Sequence, residues 1–377
     1  MAADDPVVIV GAGLMGAASA WALARQGRPV VVLEQYTAGH DRGSSHGSAR
    51  IVRRAYGDEL YTRLTGQAFE LWRELENVSQ TPLLRMLGGL DFGPERHVPT
   101  VAEHLRTNGV PHEVLPAIEA ERRWPGMRFS GDVIFHPEAG TVDSAAAVET
   151  MLAEAEKHGA LVRRSTAVQA IRPGDGHADV VCADGSTLRG STVVAAAGAW
   201  VSSLVGGLVD LPALRVTRQQ VFHFPRLDPA APPWPSVIHE EVRPIYHLAG
   251  GRDGGSEDDR KIAEHDGGVV AEAGTTGPVL DESRDRVVAY VREWLPGLDP
   301  TPRREATCLY TQTPSEDFLL DRAGSLVVCS PCSGHGAKFA PLIGELVASL
   351  VTGSGVGVPE RFSLASHNSG RVGNVSF

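Results

Sequence analysis

The apolar residues at the start of the chain form two short runs with a helical pattern between them. Residues 6–10 read PVVIV, which predicts a buried strand, and a second apolar run at 29–34 predicts another strand. Between them, a glycine turn and a stretch of small and apolar residues at about 13–26 predict a helix. The order of strand, helix and strand is typical of a parallel α/β sheet.

Three further segments have a helical pattern. The first is 58–77, where apolar side chains recur at helical spacing and Asp58 is the expected cap. The second is about 144–158, where Ser144 is the expected N-cap, and the third is 281–294.

Strand-like runs fill most of the chain between these helices. They dominate 161–200 and 214–248, and 83–143 mixes them with turns. Residues 250–260 are instead polar and rich in glycine, which predicts a mobile surface loop.

The strand, glycine turn and helix of the N-terminus recur at 325–353, near the other end of the chain. This repetition predicts one domain assembled from both ends, with a second domain inserted between its pieces. The predicted fold class is α/β (α+β), with a Rossmann-like nucleotide-binding domain and a second, mostly antiparallel substrate domain. The first domain is assigned residues 1–82, 144–213 and 303–377, and the second 83–143 and 214–302.

Composition narrows the classes of function. The 377 residues include 46 acidic and 35 basic ones, and this balance argues against nucleic acid or an anionic membrane as a partner. No apolar run approaches the ~18 residues that cross a bilayer. The acidic N-terminus lacks the basic start of a signal peptide, and four cysteines do not suggest a disulfide scaffold, so a cytoplasmic protein is expected.

A dinucleotide-binding motif follows the first predicted strand. Gly11, Gly13 and Gly16 form G-x-G-x-x-G between a strand and a helix, where glycine lets the backbone approach a pyrophosphate. Glu34 ends the second strand, where a carboxylate accepts a hydrogen bond from a ribose 2′-hydroxyl. This favours FAD or NAD over NADP, and the segment does not distinguish FAD from NAD.

Basic residues gather at 43–54, GSSHGSARIVRR, in a chain of net charge −11. A helix over 46–53 would place His46, Arg50 and Arg53 on one face. Such a face is costly to bury unless it meets negative charge, which predicts an anionic ligand here; the alternative is a surface helix paired with nearby acids.

The whole chain resembles the monomeric sarcosine oxidase and N-methyltryptophan oxidase family of flavoenzymes. The matching stretches are VVIVGAGLMG, GSSHGSARIVRRAYG, RWPG, VVAAAGAW, RKIAEHDGG, CLYTQTPSEDFLLD and CSGHGAKF. The resemblance implies FAD as the cofactor and the oxidation of an amine by hydride transfer to the flavin. It also implies O₂ as the acceptor, H₂O₂ as a product, hydrolysis of the imine, and a monomer.

The resemblance also implies roles for single residues. His46 and Arg50 would lie against the flavin, and Arg53 and Lys338 would bind a substrate carboxylate. Arg54 receives no role from the resemblance, and its position further round the predicted helix favours a side chain that faces solvent or a phosphate. Lys261 would promote the reaction with O₂, His265 would lie close to the amine, and Cys308 would carry the flavin covalently. His247 would stand where a tyrosine lines the pocket. Further cofactor contacts are expected from Ser44, Val168, Gly198, Gly334, His335 and Gly336, although His335 has an alternative role as a structural histidine.

Cys329 and Cys332 form a CSPC pair that suggests zinc or redox chemistry at first sight. A second ligand pair at zinc spacing is missing from the sequence, so a buried reduced pair is expected and no metal is assigned.

The sequence therefore predicts an FAD-dependent oxidase of N-methyl or cyclic α-amino acids. The alternatives are a flavin dehydrogenase that uses another acceptor, an amine or imine oxidase dedicated to a biosynthetic pathway, an RNA-modifying or nonenzymatic flavoprotein, and an NAD-dependent dehydrogenase.

Overall fold

The computed structural model describes residues 5–241, 243–255, 258–275 and 277–370. In these residues the strands are β1 (Val7–Val10), β2 (Val30–Leu33), β3 (Arg50–Arg53), β4 (Leu84–Met86), β5 (Gly89–Phe92), β6 (Glu113–Pro116), β7 (Asp132–His136), β8 (Ala139–Val142), β9 (Leu161–Arg163), β10 (Val168–Gly174), β11 (His177–Cys182), β12 (Thr187–Gly190), β13 (Thr192–Ala195), β14 (Arg215–Phe224), β15 (Ser236–His239), β16 (Ile245–Ala249), β17 (Arg260–Glu264), β18 (Val269–Val270), β19 (Arg304–Gln312), β20 (Leu319–Ala323) and β21 (Leu326–Ser330). The α-helices are α1 (Leu14–Arg25), α2 (Glu59–Ser79), α3 (Val98–Thr107), α4 (Ala117–Arg123), α5 (Ser144–Lys157), α6 (Val201–Val205), α7 (Asp281–Trp294), α8 (Ala340–Thr352) and α9 (Leu364–Asn368).

A mostly parallel sheet has the strand order β20-β21-β13-β1-β2-β9. Its central strand β1 is apolar and buried at every position, as expected of a strand covered on both faces. Helices α1 and α8 pack together so closely that a Cβ on Gly344 would lie 2.4 Å from the carbonyl oxygen of Ala18. Strands from near both ends of the chain therefore lie in one sheet, and the helices α1 and α8 pack together in one layer beside it.

A larger, mainly antiparallel sheet has the order β18-β14-β17-β16-β15-β5-β7-β6, and β19 also pairs with β14. Side chains alternate between its two faces. Phe222 and Ile262 belong to an apolar core that also contains Val287 of α7. The opposite face borders the cavity described below. Because β19 joins this sheet, residues assigned by sequence to 303–377 contribute to both sheets; the domain boundaries themselves stay a prediction.

The mixed α/β architecture with parallel and antiparallel sheets confirms the predicted fold class. The expected helix ends are nearly correct: Asp58 caps α2 by accepting a hydrogen bond from the Leu60 N–H. The expected cap of α5 is wrong by one residue, because Asp143 accepts from the Ala146 N–H and Ser144 is already helical. The carboxylate one position earlier thus satisfies the free N–H group.

The predicted helix over 46–53 is also wrong. Gly47 has a φ of 86°, which interrupts a right-handed helix, and residues 50–53 form β3. This strand pairs antiparallel with β8, and its centre holds the β-branched pair Ile51 and Val52. His46, Arg50 and Arg53 therefore do not share a helix face.

The described part of the 250–260 segment is attached to the protein at Ser48. Residues Gly251–Gly254 form a short 3₁₀ helix. Asp253 accepts a hydrogen bond from the Ser48 N–H at 2.6 Å, and its own N–H donates to Ser48 Oγ at 2.9 Å. The segment predicted to be a mobile surface loop thus contacts the basic stretch at Ser48. Residues 256 and 257 of that prediction lie outside the described residues.

In the described ranges, none of the helices has both the length and the apolar character needed to cross a bilayer.

Candidate active site

A cavity of about 540 Å³ runs between the parallel sheet and the large sheet. One end is formed by the β1–α1 turn and Glu34, and the other by Arg53, Lys338 and the inner face of the large sheet. All of the predicted cofactor contacts except Gly16 line this cavity: Gly11, Gly13, Glu34, Ser44, Val168, Gly198, Cys308, Gly334, His335 and Gly336.

The glycines of the β1–α1 turn leave room that other residues would fill. Gly11 has a φ of 100°, and a Cβ there would lie 2.5 Å from the carbonyl oxygen of Ala196. A Cβ on Gly16 would lie 1.8 Å from the carbonyl oxygen of Gly11, so Gly16 allows helix and strand to pack although it does not line the cavity. These observations fit a turn built for close approach of a pyrophosphate.

Glu34 is held rigidly at the cavity wall. Its Oε2 accepts a hydrogen bond from the Ala12 N–H at 2.8 Å, and its Oε1 accepts from the Tyr36 N–H at 2.9 Å. His40, which the sequence did not single out, places its Nε2 3.6 Å from Glu34 Oε1. A fixed carboxylate at the end of β2 fits the hydroxyls of an adenosine ribose.

Three basic side chains and a thiol border the middle of the cavity. Arg50 donates to the carbonyl oxygens of Ser44 at 3.0 Å and His46 at 2.6 Å. Lys261 donates to the carbonyl oxygen of Ala49 at 3.0 Å, and burial together with Arg50 lowers its pKa to about 7.

The imidazole of His46 is neutral at physiological pH. Burial, Arg50 and Lys261 lower its pKa to about 4. The positive charges of Arg50 and Lys261 repel each other and disfavour a proton on His46. A bound negative charge would relieve this repulsion. Cys308 on β19 lies at the same part of the cavity.

Arg53 and Lys338 come together around Tyr56. The Arg53 guanidinium lies over the Tyr56 ring at 4.2 Å, and Lys338 Nζ donates to the Tyr56 hydroxyl at 3.0 Å and to the carbonyl oxygen of His335 at 2.8 Å. Burial and the neighbouring Arg53 hold the pKa of Lys338 well below its usual value. Two buried cations that repel one another form a suitable site for a carboxylate.

His265 lies beside this pair. Burial, Lys338 and Arg53 lower its pKa to about 3. A Cβ on Gly334 would lie 2.7 Å from the His265 ring and 2.6 Å from Tyr310, so glycine is required where these rings meet the turn. His335 is built into the same region, with Nδ1 3.2 Å from the Tyr56 hydroxyl and Nε2 3.2 Å from the carbonyl oxygen of Glu316.

His247 is not a lining residue of the cavity. Its Nδ1 accepts a hydrogen bond from Arg260 Nε at 2.8 Å on the core side of the large sheet. Because side chains alternate along β16, Tyr246 and Leu248 border the cavity instead. The sequence prediction of a pocket position was therefore wrong by one residue.

Other sequence candidates lie away from the cavity or deep in its wall. Arg54 forms an ion pair with Glu138 at 2.5 Å. Cys329 and Cys332 are free thiols, and burial raises the pKa of Cys329 to about 12. Sequence reasoning did not identify Tyr56, although it lies two residues after the basic stretch, nor Tyr246, which has no motif of its own.

Comparisons with known proteins agree over most of the chain. Residues 6–350 match a family described as FAD dependent oxidoreductase. The chain is 30% identical to monomeric sarcosine oxidase of Bacillus sp. (strain NS-129), over 93% of this chain and 94% of that protein. It is 29% identical to N-methyl-L-tryptophan oxidase of Yersinia pestis (strain Pestoides F), over 92% and 94%. Among solved structures it is similar to NikD, described as an unusual amino acid oxidase essential for nikkomycin biosynthesis. That match has a TM-score of 0.84 and 26% identity, and covers 96% of this chain and 97% of NikD.

Proposed function

The chain belongs to the family of FAD-dependent oxidoreductases, and we propose that it is an oxidase of secondary amines that carry a carboxylate, acting on N-methyl or cyclic α-amino acids. The observation that carries this proposal is the pair of buried cations, Arg53 and Lys338, at the end of the cavity remote from the glycine turn. The sarcosine and N-methyltryptophan oxidases to which the chain is similar support the same substrate class.

FAD would lie along the cavity with its pyrophosphate at the β1–α1 turn and its ribose hydroxyls at Glu34. When bound, it supplies an acceptor for a hydride from the carbon next to the amine nitrogen. Arg50, His46 and Lys261 would border its redox-active end, and Cys308 would hold it covalently.

Arg53 and Lys338 would bind the carboxylate from two sides, and this fixes the position of the amine. A guanidinium supplies directional hydrogen bonds, and an ammonium supplies a compact charge. Both cations also lower the pKa of a nearby amine, which favours the neutral form whose lone pair stabilises the developing iminium. His265, neutral because its pKa is about 3, has ring nitrogens able to hydrogen-bond that amine.

Lys261 would favour O₂ as the electron acceptor, with H₂O₂ as the product and the imine left to hydrolyse. A fixed cation in a buried site stabilises the negative charge that develops on O₂. We further propose a cytoplasmic monomer, supported by free cysteines in the described residues and by the name of the monomeric relatives.

The proposal is tested by incubating the FAD-loaded protein with N-methyl and cyclic amino acids and measuring H₂O₂ with a coupled peroxidase. We expect H₂O₂ from at least one of them and none from the corresponding amides. The variant R53A is expected to lose about 2–4 kcal/mol of transition-state stabilisation, a decrease in kcat/KM of roughly 30- to 900-fold, because a buried charge pair with the substrate is lost. Turnover without H₂O₂ would instead indicate a dehydrogenase, and wild-type kinetics in R53A would contradict the carboxylate site.

A further inference from the structure

A network of buried charges lies behind Arg53, on the side away from the cavity. Asp91 of β5 and Arg96 are 1% and 0% exposed. Arg96 Nη2 lies 2.7 Å from Asp91 Oδ1, and Arg96 Nη1 donates to Glu240 Oε1 at 2.9 Å. Arg53 is connected to the network through the same Asp91 oxygen, at 3.8 Å from its Nη1.

Both oxygens of Asp91 are held by other residues. Oδ1 is in contact with Arg96, and Oδ2 lies 3.4 Å from His136 Nε2. Burial alone would raise the pKa of Asp91, but Arg96, His136 and Arg53 together lower it to about 2. Asp91 is therefore an anion held slightly beyond hydrogen-bond distance from Arg53.

Arg53 has a second support, a cation–π contact with Tyr56. Its guanidinium carbon lies 4.2 Å from the centroid of the Tyr56 ring, and the Tyr56 hydroxyl accepts a hydrogen bond from Lys338. Arg53 is thus held between the Tyr56 ring and Asp91, and its electrostatic environment includes the cation Arg96 and the acids Asp91 and Glu240.

We propose that Asp91 is the resident counter-ion of Arg53, held at a distance by Arg96 and His136, and that it sets how tightly the site binds a substrate carboxylate. Asp91 and an incoming carboxylate would lie on opposite sides of one guanidinium and repel each other across it. This inference rests on the proposed function, because it takes Arg53 as the residue that binds the carboxylate. A weakened site would release a carboxylate product more readily after each turnover.

Two variants of the FAD-loaded protein are expected to have opposite effects. D91N keeps an acceptor for Arg96 and removes the negative charge, so it should strengthen carboxylate binding. Two unit charges ~7 Å apart at an effective dielectric constant of ~20 repel by an energy worth roughly fiftyfold in affinity, and we expect at least a fivefold gain after relaxation. R96Q releases Oδ1 and lets Asp91 close on Arg53, so it should weaken carboxylate binding at least fivefold.

The measurement is the dissociation constant of benzoate, obtained from the change in FAD absorbance, with benzamide as the neutral probe of equal shape. Tighter benzoate binding in D91N with unchanged benzamide binding supports the proposal, and unchanged or weaker benzoate binding overturns it. Two variants that shift benzoate binding in the same direction would indicate a purely structural network and also overturn it. If R96Q does not fold, D91N with its benzamide control decides the question.

R53A separates this inference from the proposed function. If R53A weakens benzoate binding while D91N leaves it unchanged, Arg53 binds carboxylates and only the role of Asp91 is wrong. If R53A also leaves benzoate binding unchanged, the carboxylate site itself is wrong, and the inference fails with it.

Discussion

Single residues in the site owe their chemistry to burial next to other charges. Lys261 is an ordinary lysine in sequence, yet burial and Arg50 bring its pKa to about 7, close to physiological pH. Its hydrogen bond to the Ala49 carbonyl oxygen fixes the ammonium at the cavity wall. A cation held in this way is suited to stabilise charge that appears on a small neutral molecule such as O₂.

We expect K261M to slow H₂O₂ formation by about a hundredfold, because removing one preorganised group from a buried site typically costs this much. When the protein is mixed with substrate in the absence of O₂, the rate at which FAD absorbance decreases should differ less than twofold between K261M and wild type, since Lys261 does not bind the carboxylate. K157M is the matched control, because Lys157 is exposed and paired with Glu154. Equal loss in both steps would contradict a role specific to O₂.

Cys308 provides a second prediction for a single residue. We expect acid precipitation of the wild-type protein to leave yellow FAD in the pellet, because a thioether bond survives denaturation. C308S should release FAD into the supernatant. C182S is the control, since Cys182 is buried on β11 away from the cavity, and it should behave as wild type. Colour released from the wild type would exclude the covalent bond.

At the scale of elements, strand pairing decides which side chains reach the cavity. Residues 50–53 of the basic stretch form β3 because they pair with β8, and β16 directs Tyr246 inward and His247 into the core. A shift of one residue along a strand exchanges its two faces. Prediction at the level of elements is therefore accurate where the local pattern is strong, as for α1, α2 and α5, and it fails where pairing decides, as for the helix expected over 46–53.

The contact between α1 and α8 gives a prediction at this scale. Alanine favours a helix over glycine by up to about 1 kcal/mol, but a Cβ on Gly344 would meet the backbone oxygen of Ala18 at 2.4 Å. Because the backbone cannot rotate away from so close a contact, we expect an overpacking cost near the upper end of about 1–3 kcal/mol, which outweighs the gain. We expect G344A to lower the free energy of unfolding by about 1–2 kcal/mol in a denaturant titration.

The control for G344A is G357A, where a Cβ would have nothing within 4 Å. It should leave the free energy of unfolding within about 0.5 kcal/mol of wild type. Equal stability of G344A and G357A would contradict the close approach of the two helices.

For the whole molecule, buried histidines link stability to pH. Burial lowers the pKa of His239 to about 4, and burial with Arg260 holds the pKa of His247 well below its usual value. These side chains are neutral in the folded protein and bind protons on unfolding below about pH 6.5. The stabilisation is therefore complete above pH 6.5 and is lost as the pH falls.

We expect the free energy of unfolding to decrease between pH 6.5 and 4 by about 1.4 kcal/mol per pH unit for each such histidine. H239Q should remove one of these contributions and flatten the slope by that amount. H177Q, on the partly exposed β11, is the control and should retain the wild-type slope. A slope that is the same in H239Q and wild type would contradict this origin of acid instability.

The sequence by itself determined the order of β1, its glycine turn, α1 and β2, and it predicted cofactor contacts at these glycines and at Glu34. These residues could be recognised because the strand, the glycine turn, the helix and the acid follow one another within a short stretch of sequence. The basic stretch and the final SGHGAKF segment were also recognisable, because their residue types form a pattern in the chain.

Only the tertiary structure decided what those basic residues contact. Arg53 and Asp91 are far apart in sequence, as are Lys338 and Tyr56, and each pair meets because separate strands and turns converge. The conformation of β3 depends on its partner β8, and the burial of His247 depends on the register of β16. Long-range pairing and burial set these contacts and charges, and neither property is carried by the local sequence.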